Sequence, residues 1–330
     1  MSTSSLGAVQ VPAAIAPTAG TPAVGGTSHP ADAGTLWRPS APCTPRNCID
    51  ATGPARAMPL AVLRIAAVLL LLVLGFAATP LGGRIPAGLV RRWSRWVVRA
   101  AGVRVRIAGG TAPDGGLLLV ANHVSWLDIP LLAAVRPARM LAKSEIRDWP
   151  VAGWMTARSG ALFIDRDRIR ALPVTVARIA EALRAGEAVT VFPEGSTWCG
   201  RAQGHFRRAA FQAALDAGVP VQPVRLSYRV VAGSPTTAAA FVGQDSLLAS
   251  VWRVVRVREL VAEAEVREPI MPGSRPDRRS LADAAEASAL PDERPVRIPR
   301  PQRAATGGPA SGSEQLSSPS PSPSREPLTA

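Results

Sequence analysis

Short apolar runs alternate with amphipathic segments along the middle of the chain, from residue 103 to residue 289. Apolar residues at every second position, or in a short continuous run, predict a strand, whereas a repeat near 3.6 predicts a helix. Strands are predicted at 103–108, 117–121, 139–143, 161–164, 188–192, 221–226 and 260–266. Helices are predicted at 125–135, 146–158, 172–185, 208–217, 247–255 and 277–289. This alternation indicates an α/β fold, a layered sheet with flanking helices.

A longer apolar segment at residues 58–83 precedes this region and carries no charge from Ile65 to Gly83. It is about long enough to span a bilayer core of roughly 30 Å, or to re-enter the near leaflet. A buried helix is disfavoured because no polar face interrupts the run, and a cleaved signal peptide because the cleavage pattern is poor. Seven arginines at 84–106 against three at 46–64 place its C-terminal side in the cytoplasm. We predict a membrane-anchoring helix and a location on the cytoplasmic face of the cell membrane.

Residues 86–100 set Trp93 and Trp96 among arginines at helical spacing. An amphipathic helix of this composition suits an anionic membrane surface. The alternative is a packing helix with a solvated basic face.

The two ends of the chain have a different composition from the middle. Residues 1–57 are rich in Ala, Pro, Gly, Ser and Thr, and residues 291–330 end in SSPSPSPSREPLTA. Both are predicted to be disordered tails. Residues 84–290 remain as the folded domain, and Met58 is a candidate alternative start of the chain.

Composition, charge and cysteine content exclude several classes of protein. The 330-residue chain carries 38 Lys+Arg against 24 Asp+Glu, a formal net charge of +14, and Lys143 is its single lysine. Hydrophobic residues make up 47%, which excludes a wholly disordered chain. The three cysteines, Cys43, Cys48 and Cys199, exclude a disulfide scaffold, and their spacing with three histidines matches no zinc motif.

The first motif that carries chemistry is the segment NHVSWLD (122–128), which follows a predicted buried strand. On a straight helix, five residues rotate by about 500°, so His123 and Asp128 would diverge by about 140°. They meet if His123 lies in the turn before the helix, Asp128 lies one turn in and Ser125 is the N-cap. Asp128 would then fix the imidazole tautomer, and the other ring nitrogen would accept a proton from a hydroxyl group. The alternative is that Ser125 and Asp128 form only a capping box.

The second motif is the segment GALFIDR (160–166), an apolar strand that ends in an Asp-Arg pair. In open α/β sheets this edge is where ligands bind. Arg166 would bind a phosphate with two parallel hydrogen bonds, and the alternative is a surface ion pair.

Two further motifs flank the later strands. In the segment FPEGST (192–197), Pro and Gly predict a tight turn whose N–H groups and hydroxyls could hold an anion or orient a glycerol, with Arg201 close behind. In the segment VPVQPV (219–224), Pro220 and Pro223 flank one strand, which is typical of an edge or wall strand because proline lacks the ladder donor.

Together, in this order, the four motifs resemble those of the phospholipid/glycerol acyltransferase family, the PlsC-like 1-acylglycerol-3-phosphate O-acyltransferases, over residues 85–290. The family's N-H-x-S-x-x-D is matched at 122–128, F-x-x-R by Phe163 and Arg166, and V-P-x-x-P-V at 219–224. Its F-P-E-G-T is matched at 192–196 with Ser196 in place of threonine. In many members an arginine follows directly, whereas here Trp-Cys-Gly intervenes before Arg201.

The resemblance implies transfer of an acyl chain from acyl-CoA or acyl carrier protein to a lysophospholipid hydroxyl, by default that of 1-acylglycerol-3-phosphate. Lyso-ornithine lipid is the main alternative acceptor, because the third motif departs from its commonest form. His123 would be the general base and Asp128 its orienting partner. The substrate-binding candidates are Lys143, Phe163, Arg166, Glu194, Gly195, Ser196 and Arg201. The resemblance implies a glycerol-phosphate acyltransferase-like fold, the membrane surface as a partner, and no metal, cofactor or nucleic acid; the rivals are a catalytically inert membrane-binding module and a hydrolase.

Overall fold

The computed structural model describes residues 41–50, 58–110, 112–148, 152–165, 168–231, 233–289 and 296–297. Most of the two predicted tails lies outside these residues.

Residues 41–50 correct the prediction of an N-terminal tail that extends to residue 57. They contain a short helix, α1 (Pro45–Cys48), that Thr44 caps by accepting a hydrogen bond from the Asn47 N–H. Cys43 is buried, and the Asp50 carboxylate accepts a 2.9 Å hydrogen bond from the Thr237 N–H, so this segment packs on the domain.

Within the described residues, seven strands form one mixed sheet in the order β1-β8-β7-β2-β5-β3-β4. They are β1 (Val103–Gly109), β2 (Leu117–Ala121), β3 (Arg139–Lys143), β4 (Leu162–Ile164), β5 (Ala188–Val191), β7 (Val221–Val230) and β8 (Leu260–Val266). A short strand β6 (Ala202–Gln203) pairs separately with β9 (Val296–Arg297). All neighbours in the large sheet are parallel except β7 and β8. The predicted α/β sheet is confirmed.

Helices cover both faces of this sheet. They are α2 (Met58–Ala78), α3 (Ala87–Ala100), α4 (Asp128–Val135), α5 (Ala152–Arg158), α6 (Leu172–Arg184), α7 (Ala209–Ala217), α8 (Leu247–Arg256) and α9 (Arg278–Ala289), with 3₁₀ turns at Thr79–Arg84, Ser144–Asp148 and Ile169–Ala171. Side chains alternate along β2, so Leu118 and Val120 pack with α6, α7 and α9, whereas Ala121 packs with α2, α3, α4 and α8. The helix predicted at 146–158 is instead a 3₁₀ turn and α5, and a proline at position 150 of the sequence disfavours one continuous helix.

Of the edge or wall strand predicted at 221–226, the edge position is wrong, because β7 lies between β2 and β8 inside the sheet. Pro223 is tolerated there for a local reason. Its carbonyl accepts a 3.0 Å hydrogen bond from the Arg267 N–H, just beyond the end of β8. The N–H and C=O of one strand residue point to the same side, so the missing donor faces the end of β8 and not the β2 ladder.

Helix α2 packs along the domain and leaves one apolar face uncovered. The Trp93 Nε1 donates a 3.1 Å hydrogen bond to the Leu71 carbonyl, and a Cβ atom on Gly75 would lie 2.5 Å from the Trp93 ring. The side chains exposed on α2 include Leu60, Val62, Leu63, Leu69, Leu70, Val73 and Leu74. Among the described residues, Met58–Leu81 is the one helical stretch long and apolar enough to cross a membrane.

Helix α3 has a packed face and a basic face. Val97 and Val98 are buried, whereas Arg92, Arg95 and Trp96 on the other side are exposed. The packing that the sequence left as an alternative is therefore present, and the exposed face keeps the Arg/Trp composition that suits a membrane surface.

Candidate active site

The sequence motifs meet because strands β7, β2, β5, β3 and β4 all run in one direction. The carboxyl ends of such strands share one edge of the sheet, where open α/β folds bind ligands. His123 follows β2, Glu194 follows β5, Lys143 ends β3, and Asp165 follows β4. Arg166, the predicted phosphate ligand, lies outside the described residues.

His123 and Asp128 form a direct pair at this edge. The His123 Nδ1 lies 2.8 Å from the Asp128 Oδ2, and Asp128 is fully buried. The His123 side chain is 19% exposed, so the ring remains accessible from solvent. His123 lies in the turn before the helix as predicted, but Asp128 is the first residue of α4 and not one turn inside it.

The local turn explains this difference. Ser125 is not the N-cap of α4; its Oγ accepts a 3.3 Å hydrogen bond from the Leu127 N–H. The Asp128 Oδ2 instead accepts hydrogen bonds from the N–H groups of Val124 at 2.7 Å and Ser125 at 2.8 Å. The same carboxylate therefore organises the turn and orients the imidazole, and of the capping box only the hydrogen bond from the Ser125 N–H to Asp128 is formed.

Tyr228 completes the environment of Asp128. Its hydroxyl donates a 2.5 Å hydrogen bond to the Asp128 Oδ1. Burial raises the pKa of Tyr228 well above its ordinary value, and the negative charge of Asp128 raises it further, so Tyr228 remains a neutral donor. Tyr228 is absent from the predicted site because the strand predicted at 221–226 ends before it. The alternation that buries Val224 and Leu226 continues to Tyr228, and this was the available signal.

The backbone and ring of His123 are held from several sides. The neighbouring Asn122 side chain exchanges two hydrogen bonds with the Leu226 backbone, at 2.9 and 2.8 Å, and so ties the end of β2 to β7. The imidazole stacks on Phe192, with centroids 3.9 Å apart and planes 10° apart. The Trp198 N–H donates a 2.8 Å hydrogen bond to the His123 carbonyl. The imidazole is thus pre-oriented on a rigid strand end.

Glu194 lies against the backbone of His123. Its Oε2 accepts a 2.7 Å hydrogen bond from the His123 N–H, and its Oε1 accepts a 3.0 Å hydrogen bond from the Gly204 N–H. A Cβ on Gly204 would lie 2.6 Å from the Trp198 Nε1, so glycine permits this close approach. Burial raises the pKa of Glu194 well above the usual carboxyl value, against the effect of the two N–H donors. In this structure the buried Glu194 carboxylate holds the His123 backbone, and its predicted role in orienting the acceptor stays a prediction.

A family model described as Acyltransferase matches residues 102–227. The lyso-ornithine lipid O-acyltransferase of Pseudomonas aeruginosa is 41% identical over 212 residues, which are 64% of this chain and 79% of that protein. The chain belongs to the acyltransferase family.

A second relative supports this assignment, and a solved structure shows the same fold. The 1-acyl-sn-glycerol-3-phosphate acyltransferase of Neisseria gonorrhoeae is 36% identical to this acyltransferase over 184 residues, 54% of this chain and 71% of that protein. The crystal structure of the 1-acyl-sn-glycerophosphate (LPA) acyltransferase PlsC from Thermotoga maritima has a TM-score of 0.53 and 18% identity, over 71% of this chain and 93% of that chain. The fold expected from the family resemblance is confirmed.

The turn after β5 contains Gly195 and Ser196, two of the predicted substrate-binding residues of the acyltransferase. The Gly195 N–H donates a 3.1 Å hydrogen bond to the Phe192 carbonyl, and Gly195 has a φ of 76°, which favours glycine. The Ser196 Oγ is buried and has no hydrogen-bond partner among the described residues. A buried hydroxyl of this kind is available to a group that enters the site.

The remaining predicted ligands lie further along the edge or turn away from it. Lys143 is exposed at the end of β3, and the Phe163 ring on β4 lies under the Arg147 guanidinium at 4.2 Å. The Arg201 guanidinium forms a short ion pair with Asp50 of the N-terminal segment. Asp50, which lies in the region predicted to be a tail, is thus the partner of Arg201 in this structure.

Proposed function

We propose that this acyltransferase moves a fatty acyl chain from an acyl thioester, acyl-CoA or acyl carrier protein, to the free hydroxyl of a lysolipid. The observation that carries the proposal is the 2.8 Å contact between the His123 Nδ1 and the buried Asp128. Asp128 fixes the tautomer with the proton on Nδ1, so Nε2 presents a lone pair to an incoming hydroxyl. This arrangement suits a general base that acts without a covalent acyl-enzyme.

The reaction then balances with these groups alone. Nε2 of His123 accepts the proton of the lysolipid hydroxyl as its oxygen attacks the thioester carbonyl carbon. The tetrahedral intermediate collapses, the C–S bond breaks, and the imidazolium returns the proton to the departing thiolate. The products are the acylated lipid and a free thiol. No metal or cofactor takes part in these steps.

Charge that develops on the thioester oxygen needs hydrogen-bond donors. The donors we assign to this role are the Ser196 hydroxyl and those N–H groups of the turn at 192–197 that do not close the turn as the Gly195 N–H does. Lys143 and Arg166 would bind an anionic headgroup, and Phe163 would pack against the acceptor. The Arg201–Asp50 pair favours a role for Arg201 in holding residues 41–50, and not in direct contact with the lipid.

Two acceptors are supported by specific observations. Lyso-ornithine lipid is favoured by the 41% identical relative that carries that name, and by the third motif, in which Ser196 replaces threonine and no arginine follows directly. 1-Acylglycerol-3-phosphate is favoured by the 36% identical relative, and by the basic side chains expected at Lys143 and Arg166. We place lyso-ornithine lipid first, because the more similar relative acts on it by name.

Both substrate and product of such a reaction are membrane lipids, and the chain has surfaces suited to a bilayer. The exposed apolar face of α2 would insert among the acyl chains. The basic face of α3 would contact anionic headgroups. Arginine distribution supports a location on the cytoplasmic face.

The test is acyl transfer by the full chain in detergent micelles. Labelled acyl-CoA, and separately acyl carrier protein, would be offered with lyso-ornithine lipid, with 1-acylglycerol-3-phosphate, or with no acceptor. His123→Ala should abolish transfer. His205→Gln is the matched control, because His205 also contacts a buried carboxylate, Glu286, but outside the dyad.

Each result has a defined meaning. Transfer to one acceptor that disappears in His123→Ala supports the base and names the acceptor. Release of fatty acid without any acceptor would favour a hydrolase. Activity that survives His123→Ala, or none with any donor and acceptor, would overturn the catalytic proposal in favour of a membrane-binding module.

A further inference from the structure

All three cysteines of the chain meet in one place. The Sγ atoms of Cys43, Cys48 and Cys199 lie within 4.8 Å of one another, and all three are free thiols. Cys43 and Cys199 are buried and Cys48 is half-buried. The sequence spacing matched no zinc motif because the ligands come from two segments about 150 residues apart, which only the tertiary fold brings together.

Local structure holds the two N-terminal thiols in position. The turn of α1 is closed by a 3.0 Å hydrogen bond from the Cys48 N–H to the Thr44 carbonyl, which brings Cys43 and Cys48 to the same side. A Cβ on Gly243 would lie 2.8 Å from the Cys43 carbonyl oxygen, so this segment packs closely on the domain. Asp50 anchors the same segment through Thr237 and Arg201. The three thiols are therefore fixed relative to one another.

We propose that Cys43, Cys48 and Cys199 form a binding site for a soft, thiophilic cation, either Zn²⁺ with a water as the fourth ligand or Cu⁺ with three thiolates. Three sulfur ligands without a nitrogen or oxygen donor select such cations. Tetrahedral zinc with Zn–S distances near 2.3 Å requires sulfur atoms about 3.8 Å apart. The observed cluster reaches that spacing by side-chain shifts of about 1 Å or less. Binding releases the thiol protons to solvent and forms metal–sulfur bonds, with no change of oxidation state.

The position of Cys199 connects the proposed cation site to the active-site loop. Cys199 directly follows Trp198, whose N–H holds the His123 carbonyl at 2.8 Å. A cation bound at the cluster would join residues 41–50 to the loop that positions His123. The site is thus a structural link to the active-site loop, and none of its three ligands belongs to the His123–Asp128 pair.

The experiment uses the full chain, purified anaerobically in detergent with a thiol-free reductant. Metal content is measured after equilibrium dialysis against Zn²⁺, and in a second arm against buffered Cu⁺ with a chromophoric competitor. We expect one ion per chain in one arm, and visible absorption of tetrahedral thiolate-bound Co²⁺ after cobalt substitution if zinc is the cation. Each of Cys43→Ser, Cys48→Ser and Cys199→Ser should weaken binding by more than the roughly 10- to 100-fold that loss of an outer-shell partner costs.

Asp50→Asn is the matched control, because it alters the same segment and retains all three thiols. It should still bind one ion.

Since serine variants could fail to fold, alkylation of the unmodified chain provides an independent readout: the bound ion should slow modification of all three cysteines together. Metal content well below one ion per chain in both arms, with three thiols titrated in the folded protein, would show that the cysteines are apolar packing residues. A disulfide in the reduced preparation, detected by mass, would equally overturn the proposal. None of these readouts uses acyl transfer, so failure here leaves the proposed function untouched.

Discussion

Tyr228 donates its hydroxyl to the same carboxylate, Asp128, that orients the imidazole of His123. The Asp128 Oδ2 accepts hydrogen bonds from the His123 Nδ1 and from two backbone N–H groups, and Oδ1 accepts one from the Tyr228 hydroxyl. The fully buried carboxylate is therefore supplied with hydrogen-bond donors on both oxygens, which is what a buried charge requires.

We expect Tyr228→Phe to lower kcat by about tenfold, with the KM values little changed. A hydrogen bond to a charged group contributes about 1.5–3 kcal/mol, and its loss leaves one oxygen of Asp128 unsatisfied. Steady-state kinetics with the preferred acceptor would measure the effect. Ser227→Ala is the control, because the neighbouring side chain points to the other face of β7. Unchanged kcat in Tyr228→Phe would show that the backbone donors alone hold Asp128.

Asn122→Ala should destabilise the chain by roughly 2–4 kcal/mol, because two buried backbone groups of Leu226 lose their partners. The thermal unfolding midpoint in detergent would report the change. Asn47→Ala, an exposed position on α1, should leave the midpoint nearly unchanged. Equal midpoints for the two variants would contradict the assigned role of Asn122.

Glu194→Gln should change how stability depends on pH. The pKa of Glu194 is raised in the folded state, so the folded chain binds a proton more tightly than the unfolded chain does. The stability that this group contributes is present below the ordinary carboxyl pKa of 4.5 and is lost as pH rises through the folded pKa. Unfolding midpoints measured from acid to alkaline pH should show the parent losing stability relative to Glu194→Gln. A constant difference across this range would contradict the raised pKa.

Arg201→Ala and Asp50→Asn should have matching effects. If the guanidinium serves to hold residues 41–50, each variant breaks the same exposed ion pair, which contributes about 1 kcal/mol or less. We expect the acceptor KM to change by less than about threefold in both. A large rise in KM confined to Arg201→Ala would instead place Arg201 on the lipid headgroup.

The sequence predicted what depends on local pattern. The apolar runs located the strands, and the order of strand and turn placed His123 and Asp128 at one edge of the sheet. The contacts that span long stretches of chain were not predictable. Tyr228 reaches Asp128 from 100 residues away, and Glu194 turns inward because the backbone N–H of His123 lies beside it.

Composition also misled at the N-terminus. Residues 41–50 resemble the rest of the predicted tail in composition, yet Cys43 is buried and Asp50 is hydrogen-bonded to the domain. A proline-rich segment becomes ordered when the domain offers a complementary surface, and a single sequence does not reveal that surface.

Arg64 has a consequence for how the molecule meets a bilayer. Its guanidinium donates hydrogen bonds of 2.6 and 3.1 Å to the carbonyls of Val255 and Val257 at the end of α8. Helix α2 is thereby fastened to the sheet domain near its start, and Trp93 fastens it again at Leu71. A helix attached at both points cannot slide relative to the domain. With α2 inserted in a bilayer as proposed, this attachment would set the height of His123 above the acyl chains, and with it the position along the lipid whose hydroxyl the imidazole would reach.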